Sequence, residues 1–415
     1  MGNGDVTNAR TRLDAHSMNH IRIILFWGLC LLIFSGCPTQ PEKKEAKPSV
    51  LEKISAEELP PIEDDLDPET LRTAIENSLA YYDKAPEGRT CNLGEAEVNV
   101  GTLKASLRRF LELMGEHKLN RESIGESFDV YRRRDDGAGL LVTGYYEPVL
   151  DGRTEPDDQF RHPLYWVPPD LVTVELKQFD PARFSEQRIV GRLVENRLVP
   201  YYTRAEIDGQ SKLRSSGCEL LWLNDPIGAF FLHIQGSGAI RLPKGVMQRV
   251  GYEGANGRPY SSIGKKLQEM GAITPEAMSL QSIRSYLEEH PEIRDKILWS
   301  NESYVFFRPV KDGPVGSLGF PLTPGRSIAT DHTVYPKGAL ALLQTEKPRF
   351  DASGQVVGWE PINRWVLNQD TGGAIRGPGR VDLFCGTGET AEQTAGRMKQ
   401  PGALLVLIEK SHAGR

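Results

Sequence analysis

From Leu140 to its end the chain runs as short apolar and aromatic segments separated by glycine and proline, and this punctuation constrains the fold more than any other feature. Leu140 to Tyr146, Leu164 to Val167, Glu219 to Leu223 and Ala229 to Ile234 have the length and residue types of strands in a small barrel or sandwich. A helical interlude follows at Ser262 to Met270. Thr274-Pro275-Glu276 then caps a segment that runs through Leu287 and stops at Pro291. Strands resume after Tyr304-Val305-Phe306-Phe307-Arg308-Pro309, at Thr333 to Tyr335, Ala339 to Leu343, Trp365 to Asn368, Val381 to Cys385 and Leu404 to Ile408. Two helices precede all of this. Asp67-Pro68-Glu69 supplies an N-cap, a first-turn proline and an acid ahead of Leu71, Ile75, Leu79 and Tyr82, and Leu103, Leu107, Phe110, Leu111 and Met114 recur at helical spacing. The expected class is mainly β with some α, and 415 residues exceed what one core usually organises, so two domains are expected.

The N-terminus speaks to location. Arg22 is followed by an apolar run from Ile23 to Phe34, then Ser35-Gly36 before Cys37, the layout of a signal peptide. The run is shorter than the roughly 20 residues of a spanning helix. Phe34-Ser35-Gly36-Cys37 has the form of a lipobox, so residues 1–37 are expected to be a signal peptide with Cys37 lipidated. Residues 38–63, rich in Pro, Glu and Lys, are expected to be a flexible tether with the fold starting near Asp64. Pro38 is not the aspartate associated with inner-membrane retention, which favours an outer-membrane lipoprotein facing the periplasm. A net charge of -6 argues against a nucleic-acid partner. Cys91, Cys218 and Cys385 show no metal spacing, and there is no His-Glu-x-x-His, phosphate loop or Gly-x-Ser-x-Gly elbow, so neither metal nor cofactor is expected.

Three aspartates in the C-terminal part sit beside strand-like runs: Asp331 in Thr330-Asp331-His332, Asp370 before Thr371-Gly372-Gly373, and Asp382 in Arg380-Val381-Asp382-Leu383. Taken singly, such an aspartate is more often a turn or cap residue than a catalytic one. Taken together they can converge at one barrel mouth, with Gly377-Pro378-Gly379 allowing close approach of chain segments. Clustered carboxylates suit cleavage of a glycosidic bond, because an acid that protonates the leaving oxygen near neutral pH needs burial or like-charged neighbours to hold its proton. Ordinary glycosidases also need a second carboxylate, whereas an enzyme using the sugar's own hydroxyl does not. Thr143, Tyr145 and Tyr146 in one segment, and Gln235, Ser237 and Gly238 in another, combine rings, hydroxyls and an amide as sugar sites do.

The ordered set TGYYEP, YYTRAEI, HIQGSGAIRL, VGYEGANGRPYSSIGKKL, YVFFRP, ATDHTVYPKG, DTGGAIRGPGRVDLF and GTGETAEQTAG resembles the membrane-bound lytic murein transglycosylase A family from about Leu140 to the C-terminus. The resemblance implies a double-psi β-barrel domain (64–147 and 310–415) that carries the aspartates, with a smaller β-domain (148–309) inserted and a substrate groove between them. It further implies cleavage of the β-1,4 bond between N-acetylmuramic acid and N-acetylglucosamine in peptidoglycan, leaving 1,6-anhydro ends. Asp382 is then the catalytic acid/base, supported by Asp370 and Asp331. Peptidoglycan strands, the membrane through a lipid anchor, and cell-wall synthesis proteins are the partners it implies. Two alternatives stand beside it: a glycoside hydrolase on the same barrel, with Asp370 or Asp331 as base, and a non-catalytic wall-binding lipoprotein.

Overall fold

The two expected helices form where their caps fall. Asp67 Oδ1 accepts the Glu69 N–H at 3.0 Å and Pro68 opens the helix Pro68–Tyr82, which buries Leu71, Ile75 and Tyr82. Asn99 Oδ1 accepts the Thr102 N–H at 2.7 Å and starts Val100–Gly115, with Leu103, Leu107 and Phe110 buried. Each such cap contributes about 1 kcal/mol. The computed structural model describes residues 49–94, 96–184 and 187–410. The signal-like run, the expected lipidation residue Cys37 and the first part of the tether lie outside the described residues.

The core is a barrel. Leu140–Glu147, Lys399–Glu409, Leu340–Phe350, Val356–Asp370, Ser327–Ala329 and Arg380–Thr387 are neighbours in that order, and pairing of Leu140–Glu147 with Lys399–Glu409 as well as Arg380–Thr387 closes the ring of six. The fold class is the expected one, mainly β with a closed barrel of the double-psi type plus further β elements. Trp365, Val366, Leu367, Val381 and Leu404 to Leu407 are buried in its walls. Both helices pack on it: Gln369 Nε2 donates to Ala74 O at 2.7 Å and Ser78 Oγ at 3.0 Å, and the Phe110 ring meets Trp365 edge-on at 4.8 Å. Arg326, fully buried on the barrel, donates to both carboxylate oxygens of Asp64 at 2.7 and 2.8 Å and thereby pins the chain just before the first helix. A second sheet of six strands runs in the order Val305–Val310, Met247–Ala255, Ser237–Arg241, Val149–Arg153, Glu219–Leu223, His162–Tyr165. It leaves the barrel directly after Glu147 and returns through Val305–Val310.

Four segments differ from the sequence expectation. Within the expected tether, Leu51–Ile54 pairs as a strand with Phe128–Arg133, burying Leu51 and Ile54, so the ordered chain reaches further toward the N-terminus than Asp64. Ala229 to Ile234 is helix, part of Pro226–Gln235. Asp225 caps it, Pro226 opens it and Gly236 closes it at φ 77°, a conformation glycine adopts without steric cost. Thr333 to Tyr335 is a turn, because Asp331 Oδ1 accepts the Thr333 N–H at 3.0 Å while its carbonyl accepts from Val334 and Tyr335. The helix expected from Thr274 starts at Ser279 instead, as Leu280–Glu289, and Pro291 opens a further helix, Pro291–Trp299. Among the described residues no helix is long and apolar enough to cross a membrane.

Candidate active site

The short strand Ser327–Ala329 is the point on which the site turns. Ala329 pairs with Asp370 on one side and with Asp382 on the other, and Asp382 pairs in turn with Thr143. Asp331 follows two residues beyond Ala329. Barrel register therefore brings together aspartates from three separate stretches of sequence, at the end of the ring where the loops 371–379 and 330–339 emerge.

Each carboxylate has a different setting. Asp382 Oδ1 accepts from Thr143 Oγ1 at 2.6 Å and from Arg380 Nε at 2.8 Å, while Oδ2 accepts from Arg380 Nη2 at 3.0 Å. Arg380 Nη2 also reaches Thr143 Oγ1 at 3.4 Å. Asp370 Oδ1 accepts the N–H groups of Ser317 at 3.0 Å and Thr371 at 2.9 Å, and Oδ2 accepts from the Tyr145 hydroxyl at 3.1 Å. Burial nonetheless pushes the Asp370 carboxyl up to about 6, against the pull of those donors and of the Lys337 charge. Asp331 is also buried, which by itself raises its carboxyl. Bonds from Thr333 Oγ1 at 2.7 Å and from the Gly377 N–H at 2.7 Å outweigh that and hold it below the ordinary range. Asp331 thus folds the glycine-rich loop back onto the mouth.

Of the residues expected to bind substrate, Thr143 and Tyr145 meet the aspartates. Tyr146 does not. Successive strand residues face opposite ways, so as Tyr145 turns to Asp370 and packs against Phe384 at 5.3 Å, Tyr146 is buried against Ala391 and Ala395 of the helix Glu389–Arg397. Gln235 Oε1 accepts the Tyr146 N–H at 3.1 Å, tying the helix Pro226–Gln235 to the barrel strand. Ser237 is partly exposed at the start of the strand Ser237–Arg241. Gly238 is buried where a Cβ would lie 2.4 Å from the Leu232 side chain, so its role is close packing. Sequence reasoning missed Arg380, whose place two residues before Asp382 on one strand already put both side chains on one face.

Beside the aspartates lies an open cleft of about 620 Å³, lined by Arg258, Pro259, Tyr260, Ser262 and Ser303 from the second-sheet region and by Gly373, Ala374 and Arg376 from the barrel loop. Gly373, Ala374 and Arg376 lie on the loop that leaves Asp370 and returns to Asp382, so one wall of the cleft is carried by the segment between two of the aspartates. Among the described residues no cluster of His, Cys, Asp and Glu is arranged to hold a metal ion, and Cys91, Cys218 and Cys385 are free.

A barrel mouth that gathers carboxylates near an open, ring- and hydroxyl-lined cleft has the chemistry of the carbohydrate-cleaving class of enzymes. Residues 141–308 match the family model for the MltA specific insert domain and residues 326–408 that for the 3D domain. Membrane-bound lytic murein transglycosylase A from Vibrio cholerae is 34% identical over 277 residues, covering 66% of each chain, and that from Escherichia coli K12 is 32% identical over 283 residues, covering 68% of each. The chain belongs to the membrane-bound lytic murein transglycosylase A family. A crystal structure of a membrane-bound lytic murein transglycosylase from Agrobacterium tumefaciens is similar at 29% identity and a TM-score of 0.72, covering 86% of this chain and 97% of that one.

Proposed function

We propose that this protein is a peptidoglycan lytic transglycosylase that cuts the β-1,4 bond between N-acetylmuramic acid and N-acetylglucosamine and leaves 1,6-anhydro ends. The observation that carries the reading is the placement of Asp382 between Thr143 and Arg380, on the strand paired with Ser327–Ala329, which leads into Asp331 and whose other neighbour ends in Asp370. Asp382 protonates the leaving oxygen, positive charge develops on the muramic sugar, and the resulting carboxylate takes the C6 hydroxyl proton as that oxygen attacks the anomeric carbon. One carboxylate serves both halves, and no water is consumed. The anion paired with Arg380 is the form that acts in the second half. In the first half Asp382 carries the proton that it donates. Thr143 holds the carboxyl in place in both forms. Asp370 and Asp331 support the site, the first anchoring Ser317, Thr371 and Tyr145 and the second the loop at Gly377.

The same reading takes residues 148–309 as an inserted β-domain, Cys37 as the lipidated residue and the outer membrane, facing the periplasm, as the location. Association with wall-building proteins would follow from that position. The deciding experiment is mass spectrometry of muropeptides released from purified sacculi. Anhydro ends support the reading, reducing muramic ends would make the protein a hydrolase, and no release would leave a wall-binding lipoprotein.

A further inference from the structure

Two arginines face the cleft from opposite walls. Arg258 stands on the second-sheet side and Arg376 on the barrel loop, and the exposed Tyr260 ring lines the same cleft. Arg258 is held by its own surroundings: its Nε donates to Tyr201 O at 2.9 Å, and Glu302 lies 3.8 Å from its Nη1 at the rim. Asn256 Oδ1 accepts the Arg258 N–H at 3.2 Å while its Nδ2 donates to Tyr202 O and Glu302 O, so the arginine stands on a fixed backbone. Arg376 differs. It is exposed, and its Nη1 donates to Ile375 O at 3.3 Å. It forms no ion pair among the described residues. Asp331, whose carboxyl its charge helps to hold down, is already occupied by Thr333 and Gly377. The loop that carries Arg376 is fixed at the next residue by the Gly377 to Asp331 bond, so its position is built.

Arg258 already has the Glu302 carboxylate at 3.8 Å, but a neutral glycan gives Arg376 nothing to pair with, and against a net charge of -6 over the whole chain this cation is a local feature. We infer that Arg376, with Arg258 opposite, forms a subsite for a carboxylate-bearing substituent on the glycan, which makes these residues determinants of substrate specificity. This rests on the transglycosylase reading, under which the strand in the cleft carries such groups on every muramic acid. A guanidinium offers a planar pair of N–H donors that fits a carboxylate, a geometry lysine lacks. The carboxylate comes from a stem peptide or, where the stem has been removed, from the lactyl ether itself.

The test uses the purified full chain in detergent and four strand preparations: stem-bearing, stem-stripped, and each of these with its carboxyl groups converted to amides. The wild type should cut carboxylate strands with a kcat/KM roughly tenfold above the amidated ones, carried by KM, and Arg376→Gln should bring that ratio close to one. Arg376→Lys, which keeps the charge but not the fork, should restore only part of it. Affinity for the same strands is measured in parallel on Asp382→Asn. A preference confined to stem-bearing strands assigns the carboxylate to the peptide, and one present in stripped strands assigns it to the lactyl group. Equal rates and equal affinities for carboxylate and amidated strands in the wild type, or a preference untouched by Arg376→Gln, would overturn the subsite while anhydro products left the transglycosylase reading intact. Carboxylate-dependent affinity without anhydro product would do the reverse.

Discussion

Replacing Asp382 by Asn changes one oxygen for an NH₂ group and removes the titratable proton. The side chain still offers an acceptor to Thr143 Oγ1, now at 2.6 Å from Asp382 Oδ1, and loses the charge that Arg380 pairs with at 2.8 and 3.0 Å. Side-chain exposures of 34% for Arg380 and 13% for Asp382 make the pair partly buried, but the arginine left behind can be hydrated, so its loss costs roughly 1–2 kcal/mol and the variant folds. Catalysis is hit harder. Loss of general acid–base catalysis typically costs about 10²–10⁴-fold, or roughly 3–5 kcal/mol on the barrier, and here both halves depend on one group. Release of 1,6-anhydro muropeptides from sacculi should fall by at least that factor while glycan affinity and the circular dichroism melt stay close to wild type. A folded Asp382→Asn enzyme with near-normal turnover, alongside a dead Asp370→Asn or Asp331→Asn, would refute the assignment of roles.

Asp370 should show itself through pH. Its carboxyl lies at about 6 against an ordinary 3.8, so the fold favours its proton, and the stability this gives is complete below about 3.8 and lost as pH rises through about 6. Asp370→Asn imitates the protonated form. Denaturant titrations should therefore show the variant gaining on wild type between pH 4 and 7, by at most about 3 kcal/mol, and a constant difference over that range would remove the argument. Cys37→Ala should abolish lipoprotein-type processing and membrane fractionation; an unchanged mature mass would dispose of the anchor. Gly144→Ala should lower the thermal midpoint, since a Cβ there would lie 2.6 Å from Ala395 Cα, and the backbone shift this forces costs typically 1–3 kcal/mol. An unaltered melt would mean that the helix Glu389–Arg397 yields freely.

What the sequence displayed was local. The helices Pro68–Tyr82 and Val100–Gly115 were legible because their apolar period and one of their caps are written in adjacent residues. The helix Pro226–Gln235 carried the same kind of signal in Asp225, Pro226 and Gly236, but its run of Ala229, Phe230, Phe231 and Leu232 is apolar on all sides and hides the period. Thr333 to Tyr335 looked like a strand by composition and is bent by an aspartate side chain. The aspartates could be named individually, yet their meeting depends on Ala329 pairing with two strands at once, a relation no spacing encodes. The different fates of Tyr145 and Tyr146 follow from strand alternation once Leu140–Glu147 is known to have the site on one side and a helix on the other.

The closing seam of the barrel ties the candidate site to a strand far along the chain. Thr143, which holds Asp382, also sits opposite Lys399 in the pairing between Leu140–Glu147 and Lys399–Glu409, the last strand of the described chain. Contacts so distant in sequence form late and slowly, because a long stretch of chain must be ordered before they are made. The setting of the Asp382 carboxyl is therefore complete only once the strand Lys399–Glu409 has closed the ring.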